Sequence, residues 1–441
     1  MILPLREDGK LVEVTSTGTG DWATDERPKN WRQGILFLYP NGQAPLTGLL
    51  SKMGEETVTD PEFNWWTKLL PAQGGAVTDL YTDTGLTAAY TTGGVVGATL
   101  HAKMAQALAT EFRVGHQVLL RVSTNLNVDV NAKVTAVVKN GASSYVSCKL
   151  LEADDNGGAT TLGSCDTILI VGNINAEGAP IPDAVAYDPV KWSNYTQIFR
   201  TPLDITRTAR KTVLRTEDAY KEAKRESLEL HSIEMEKAFF WGIKTENVGT
   251  NGKPERTTMG LIQAIKTGAP SNVFNYSTDA NYTGDPWVGT NGSGEEWLDT
   301  SLEVIFRYGS SEKLAFAGSG AILGINRLAK ASGQINLTPQ ATSYGLKVMQ
   351  WITPFGTINL MTHPLFSYEV TTRNLMVILE PAMLKYRYID DTMFMSMDTT
   401  KVSPSHERLD GTKEEWLTEC GLEYHHPLKF GLLQNVGKNN P

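Results

Sequence analysis

Hydrophobic and polar positions alternate most cleanly over Val128, Val130, Ala132, Val134, Ala136 and Val138, with Asp129, Asn131, Lys133 and Thr135 among the residues between them. A period of two predicts a half-buried strand. The Asn140-Gly141 pair that follows predicts a turn into a second strand at YVSCKLLE. With VGHQVLLRV before it and DTILIVG after it, the stretch from about Phe112 to Gly172 reads as a compact antiparallel barrel or sandwich inserted into something larger. Its exit, NAEGAPIPDAVAYDP, has the composition of a linker.

Elsewhere the pattern is coarser. Residues 1 to about 35 are polar, Gly/Thr-rich and without period, which predicts an arm with little core of its own. A short apolar patch follows at APLTGLLSKMG, and in DPEFNWWTKLLPAQGG the residues Phe63, Trp65 and Leu69 share one face of an extended strand. SNYTQIFRTPLDITRTARKT is β-branched and aromatic but carries Pro202, which predicts an edge strand or a bend. Thr216 then caps a helix with Glu217 and Asp218 in its first turn and Gly242 at its end, a rod of about 39 Å. Ala223, Leu230, Ile233 and Phe240 fall on one stripe of it, and Leu228, Met235 and Phe239 on another nearly opposite. A surface helix has one broad apolar stripe, so two narrow ones predict a rod gripped from both sides. The remainder alternates helices (EEWLDTSLEVIFRYG, AILGINRLAKAS) with strands (EKLAFAG, GLKVMQWI, TINLMTH, RNLMVILE, MLKYRYI, EEWLTECGLEYHH), an α+β texture without internal repeats.

Composition narrows the function classes. The chain has 441 residues, 41% apolar and 20% charged, which is globular and long enough for two or three domains. Forty Lys and Arg against 49 Asp and Glu leave a net charge of -9, an argument against a dedicated nucleic-acid grip. Cys148, Cys165 and Cys420 are odd in number and widely spaced, with no CxxC, so they predict neither a disulfide framework nor a zinc ribbon. MILPLREDGK is too short for a signal-peptide core and no run approaches 18 apolar residues, so a soluble protein that stays where it is made is expected, with Asn194, Asn281 and Asn336 carrying no glycosylation signal.

Three stretches resemble chemistry. His231 and Glu234 stand at metal-ligand spacing on the predicted helix, but a carboxylate-bridged site needs Glu-x-x-His twice plus two further Glu residues. The solvated face of a long helix accounts for the pair. GSGAILG, 318–324, follows a strand and opens a helix, yet its spacing is one residue too long for a dinucleotide turn, and the next pattern is a hairpin rather than a parallel strand ending in an acid. Ser319 reads as the cap of the helix that follows. YIDD, Tyr388 to Asp391, has the paired carboxylates of a two-metal site but no companion motif, and reads as an Asp-Asp turn between strands. HisHis at 425 and 426 reads as exposed or interfacial, and GxSxG, HExxH and GxxxxGK[ST] are absent from the sequence. No catalytic, cofactor or metal residue is expected.

The order of parts carries more. An arm, a long hairpin with limbs FNWWTKLLPAQ and SNYTQIFRTPLDI, a two-sided rod and an α+β body describe a subunit that completes its core with neighbours. SNYTQIFRTPLDITRTA, running into TEDAYKEAKRESLELHSIEMEKAFFWG and TTMGLIQAI, resembles the major capsid proteins of tailed bacteriophages with the Hong Kong 97 fold. The resemblance implies an N-terminal arm at 1–55 and an E-loop at 56–212 holding an inserted β domain at about 100–186. It places a spine helix at 216–242 and the first part of a P-domain within 213–310, an A-domain at 311–400, and C-terminal strands at 401–441 returning to the P-domain. It implies a homo-oligomer of pentamers and hexamers that encloses double-stranded DNA without sequence-specific binding, has no membrane contact, and works with scaffolding, portal and decoration proteins. The place implied is the virion, assembled in the host bacterial cytoplasm. The candidate subunit-interface residues are Trp65, Trp66, Phe199, Arg200, Glu222, Arg225, Glu229 and Glu236. Two alternatives remain: an encapsulin-like compartment shell, and a nucleotide-dependent oxidoreductase using GSGAILG.

Overall fold

The computed structural model describes Pro45, Leu46 and Leu50, residues 55–68, 73–155, 161–178, 188–214, 217–289, 293–332, 337–343, 346–397 and 411–439, and positions 180–182, 184 and 186. Thr216, Leu69 and most of the predicted arm lie outside the described residues. The chain divides into two compact units, one of residues 66–190 and one of residues up to 65 with 191–441.

Residues 66–190 form one antiparallel seven-stranded sheet, in the order β3 (Gly74–Ala76), β9 (Thr167–Asn173), β6 (His116–Val122), β7 (Asn125–Val138), β8 (Tyr145–Leu150), β5 (Thr99–Lys103) and β4 (Asp79–Tyr81). Its own core gathers Val118, Leu120, Val130, Ala132, Val134, Val146 and Ile168. The alternation read along β7 holds through Val134 and then breaks, because the register with β8 shifts between Val134 and Ala136 and leaves Ala136 exposed. The unit begins at Trp66 rather than near residue 100. Its first strands are three residues long among Gly and Thr, too short to show a period.

The other unit holds two larger sheets. The four-stranded one runs β1 (Glu55–Thr57), β22 (Leu384–Met397), β23 (Gly411–Tyr424), β11 (Gln197–Thr206), with β1 parallel to β22 and the rest antiparallel. The seven-stranded one runs β16 (Val273–Asn275), β24 (Gly431–Gln434), β21 (Met376–Leu379), β17 (Glu312–Ala317), β20 (Gly356–Thr362), β19 (Leu346–Thr353), β18 (Leu337–Ser343). Three two-stranded ladders complete the strands: β2 (Glu62–Thr67) with β10 (Val190–Tyr195), β12 (Val213–Leu214) with β13 (Glu217–Asp218), and β14 (Thr245–Val248) with β15 (Pro254–Thr257). Helices Ser293–Phe306 and Ser319–Ser332 take the positions their periodicity predicts. The fold is α+β.

Four expectations change. Among the described residues, the two predicted hairpin limbs meet at their base, β2 against β10. At Thr196, whose amide donates to the Pro61 carbonyl at 2.8 Å, the chain leaves that ladder and pairs with β23 for ten residues. Phe199, Leu203 and Ile205 are thereby buried, which pairing with β2 alone would not achieve. The long helix runs Ala219–Trp241, about 34 Å, and buries one face rather than two. Ser227, His231, Met235 and Phe239, four residues apart, lie inside with Glu236 and Phe240, whereas Leu230 is 42% exposed. Counting apolar residues missed this face because three of its members are polar. β20 pairs in parallel with β17 although it also closes the predicted hairpin with β19. YIDD is a register break inside the 14-residue β22, not a turn between strands.

Candidate subunit-contact surface

The long helix and β11 bring together most of the residues that the sequence nominates. Alternation along β2 sends Trp65 inward, 5% exposed against the edge of Tyr424 at 5.0 Å, and Trp66 outward at 59%. Alternation along β11 buries Phe199 and exposes Arg200, whose guanidinium takes the Glu415 carboxylate through two nitrogens at 2.8 and 2.5 Å. On the helix, Arg225 and Glu229 form an exposed pair at 3.7 Å and Glu222 is half-buried. Glu236 is fully buried, and accepts from the Leu46 amide and from His363 Nε2, both at 2.8 Å. Trp65, Phe199 and Glu236 therefore serve the subunit's own core. Trp66, Arg200, Arg225 and Glu229 present their side chains to solvent.

His231 is not on the solvated face. It is 1% exposed, with the Thr201 hydroxyl 2.9 Å from Nδ1 and the Thr418 hydroxyl 2.7 Å from Nε2. Burial holds its pKa below the ordinary imidazole value. Glu234 is exposed and touches this pair only through Thr201, so the two do not converge on a metal. Among the described residues no group of three His, Cys, Asp or Glu side chains is placed to hold one.

The glycines of GSGAILG have a packing explanation. A Cβ on Gly318 would lie 2.3 Å from the Arg373 carbonyl oxygen, and one on Gly324 would lie 2.4 Å from Gly437 Cα. The amides that would meet a phosphate are already used: Ser319 N donates to the Ser367 hydroxyl at 3.1 Å and Ala321 N to the Arg373 carbonyl at 3.0 Å. The turn is closed by its own chain. His425 sits 2.6 Å from Glu423, which also receives the Arg387 guanidinium.

Sequence reasoning missed the solvent-facing apolar residues beside these elements. Ile198 (58% exposed) lines an open groove of about 380 Å³ between the start of β11 and the β14–β15 hairpin, together with Gln197, Lys253, Arg256 and Glu419, and Val248 (80%) is exposed on β14. Leu230 and Trp241 stand on the uncovered side of the long helix. Single apolar residues in polar surroundings carry no periodic signal, and only the covering of their neighbours reveals them.

The sequence profile described as SU10 major capsid protein matches residues 14–437. A protein called major capsid protein, from Pseudomonas phage PaMx41, is 24% identical over 367 residues, covering 82% of this chain and 79% of that one. Among solved structures, one from Mycobacterium phage Adephagia is similar at 7% identity with a TM-score of 0.43, covering 93% of this chain and 95% of that one. The holo-SrpI encapsulin complex of Synechococcus elongatus PCC 7942 is similar at 14% identity and a TM-score of 0.38, over 56% of this chain and 76% of that one.

Proposed function

Since the chain belongs to the SU10 major capsid protein family, matched over residues 14–437, we propose that its copies close as pentamers and hexamers into an icosahedral phage shell around double-stranded DNA. It is a major capsid protein with a structural role in the virion, and the fold is of the Hong Kong 97 type. The match along nearly the whole chain carries this reading. The uncovered side of the long helix supports it, because a 23-residue helix with Leu230 and Trp241 in water gains from a neighbour. On this reading Trp66, Arg200, Arg225, Glu229, Leu230 and Trp241 meet other subunits, Glu222 lies at the margin, and the unit of residues 66–190 is an insertion in the E-loop. Its part is that of a building block rather than a catalyst, assembled in the host cytoplasm with scaffolding, portal and decoration proteins. The net charge of -9 suits a shell that surrounds DNA without gripping it.

Electron microscopy of the expressed chain, alone and with the scaffolding protein of its own phage, tests the proposal. Closed shells with five-fold and six-fold clusters are expected. A subunit that stays monomeric by sedimentation under both conditions ends it.

A further inference from the structure

The three sheets of four or more strands end in six edge strands. Four of these, β1, β3, β4 and β16, are three residues long. The other two are β11, ten residues, and β18, seven residues. Each of the two long edges carries a proline inside the strand, Pro202 and Pro339. Among the described strands no other has a proline beyond its first residue. A strand edge with unpaired amides and carbonyls is a template for another chain, and shortness and proline are two ways of spoiling it.

The backbone of β11 shows what Pro202 does. A Cβ on Gly411 would lie 2.9 Å from the Ile205 carbonyl oxygen, and one on Gly421 would lie 2.7 Å from the Tyr195 carbonyl oxygen, so at both ends the odd-numbered carbonyls face β23. The Thr196 amide points the other way, to the Pro61 carbonyl at 2.8 Å. Between these ends the register runs unbroken from Gln197 opposite Cys420 to Thr206 opposite Gly411. Ile198, Arg200 and Pro202 therefore turn their backbone groups toward the side away from β23, where no described strand pairs with β11. An incoming strand would find a pyrrolidine ring at Pro202 in place of an N–H. The ladder of β18 with β19 carries a second irregularity beside Pro339, a register shift between Gln340 and Ser343.

We propose that Pro202 and Pro339 bar these two edges to the strands of other copies, so that subunits join through side chains rather than by extending a sheet. On β11 this leaves Ile198 and Arg200 as the outward-facing pair between the closure at Thr196 and the ring at Pro202, too short a run to hold a strand. The Arg200 side chain stays available for a contact of its own. The barrier belongs to the single subunit, while its use, keeping copies on the route to a closed shell, rests on the capsid reading.

Amide hydrogen exchange and sedimentation of the unassembled full chain, wild type against Pro202→Val and Pro339→Val, test the barrier. Valine restores the donor and suits a strand. In the wild type the Ile198 and Arg200 amides are expected to exchange about tenfold or more faster than those of Phe199 and Thr201. In Pro202→Val they are expected to slow about tenfold as concentration rises, with larger species in sedimentation and fewer closed shells. Pro339→Val is expected to associate in the same way through the other edge, and decides the matter if Pro202→Val fails to fold. Wild-type Ile198 and Arg200 amides as slow as their neighbours, or a folded valine variant that associates no more than wild type, overturns the proposal. Added association with an undiminished shell yield overturns the use alone, and a wild type that forms no shells overturns the capsid reading without touching the barrier.

Discussion

Asn194 belongs to an Asn-Tyr-Thr triplet, yet its side chain is fully buried. Its amide nitrogen donates to the Leu422 carbonyl at 2.7 Å, the Thr258 hydroxyl at 3.1 Å and the Met259 carbonyl at 3.2 Å. Its oxygen accepts from the Met259 and Tyr195 amides at 2.8 and 2.9 Å. One residue thus ties β10, the segment ahead of helix Leu261–Gly268, and β23. Asn194→Ala strands several buried groups and is expected to cost roughly 2–4 kcal/mol in urea unfolding of the subunit. Lys313 is 1% exposed, and its ammonium donates to the Tyr308 and Lys429 carbonyls at 3.1 and 2.8 Å. Burial, the leading cause, brings its pKa down from 10.5 to about 8. Between those values the unfolded chain binds the proton that the folded chain has released, so this group adds stability as pH rises through that window. Lys313→Met, compared with wild type by denaturant titration at pH 8 and pH 10, is expected to flatten that rise. Neither role shows in the sequence, where Asn194 reads as a sequon and Lys313 as the second residue of a strand.

Trp65 and Trp66 are adjacent and chemically identical, and the strand alone separates their duties. Trp65→Ala removes a buried indole stacked near Phe63 and Tyr424, and is expected to lower subunit stability by about 3–5 kcal/mol. Trp66→Ala is expected to change subunit stability by less than about 0.5 kcal/mol while reducing shell yield, read by calorimetry and by sedimentation of assembly products. The long helix teaches the complementary lesson. Its existence and its end at Gly242 are legible from spacing and caps, whereas Glu217 and Asp218, expected in its first turn, form strand β13 and the helix starts at Ala219. Its buried face is not legible, because Ser227, His231 and Glu236 count as polar in any pattern and become interior only when Trp416, Thr201, Thr418 and His363 arrive to bond them.

Residues 66–190 have a sheet and a core of their own, so expressed alone they are expected to unfold in one cooperative transition seen alike by circular dichroism and tryptophan-independent amide exchange. Loss of structure in the excised piece would show that its core depends on the rest of the chain. What the sequence determined by itself was local: the strand period at Val128 to Val134, the Asn140-Gly141 turn, the presence of the rod and its end at Gly242, and the run of residues that resembles a capsid subunit. Such features follow from backbone geometry and short-range spacing, which a linear string preserves. Only the tertiary structure decided that β11 leaves β10's ladder for β23, that β20 lies parallel to β17, and that polar residues make the helix's inner face. Those outcomes depend on groups from 30 to 215 residues apart satisfying one another's hydrogen bonds, and no local pattern encodes which distant partner arrives.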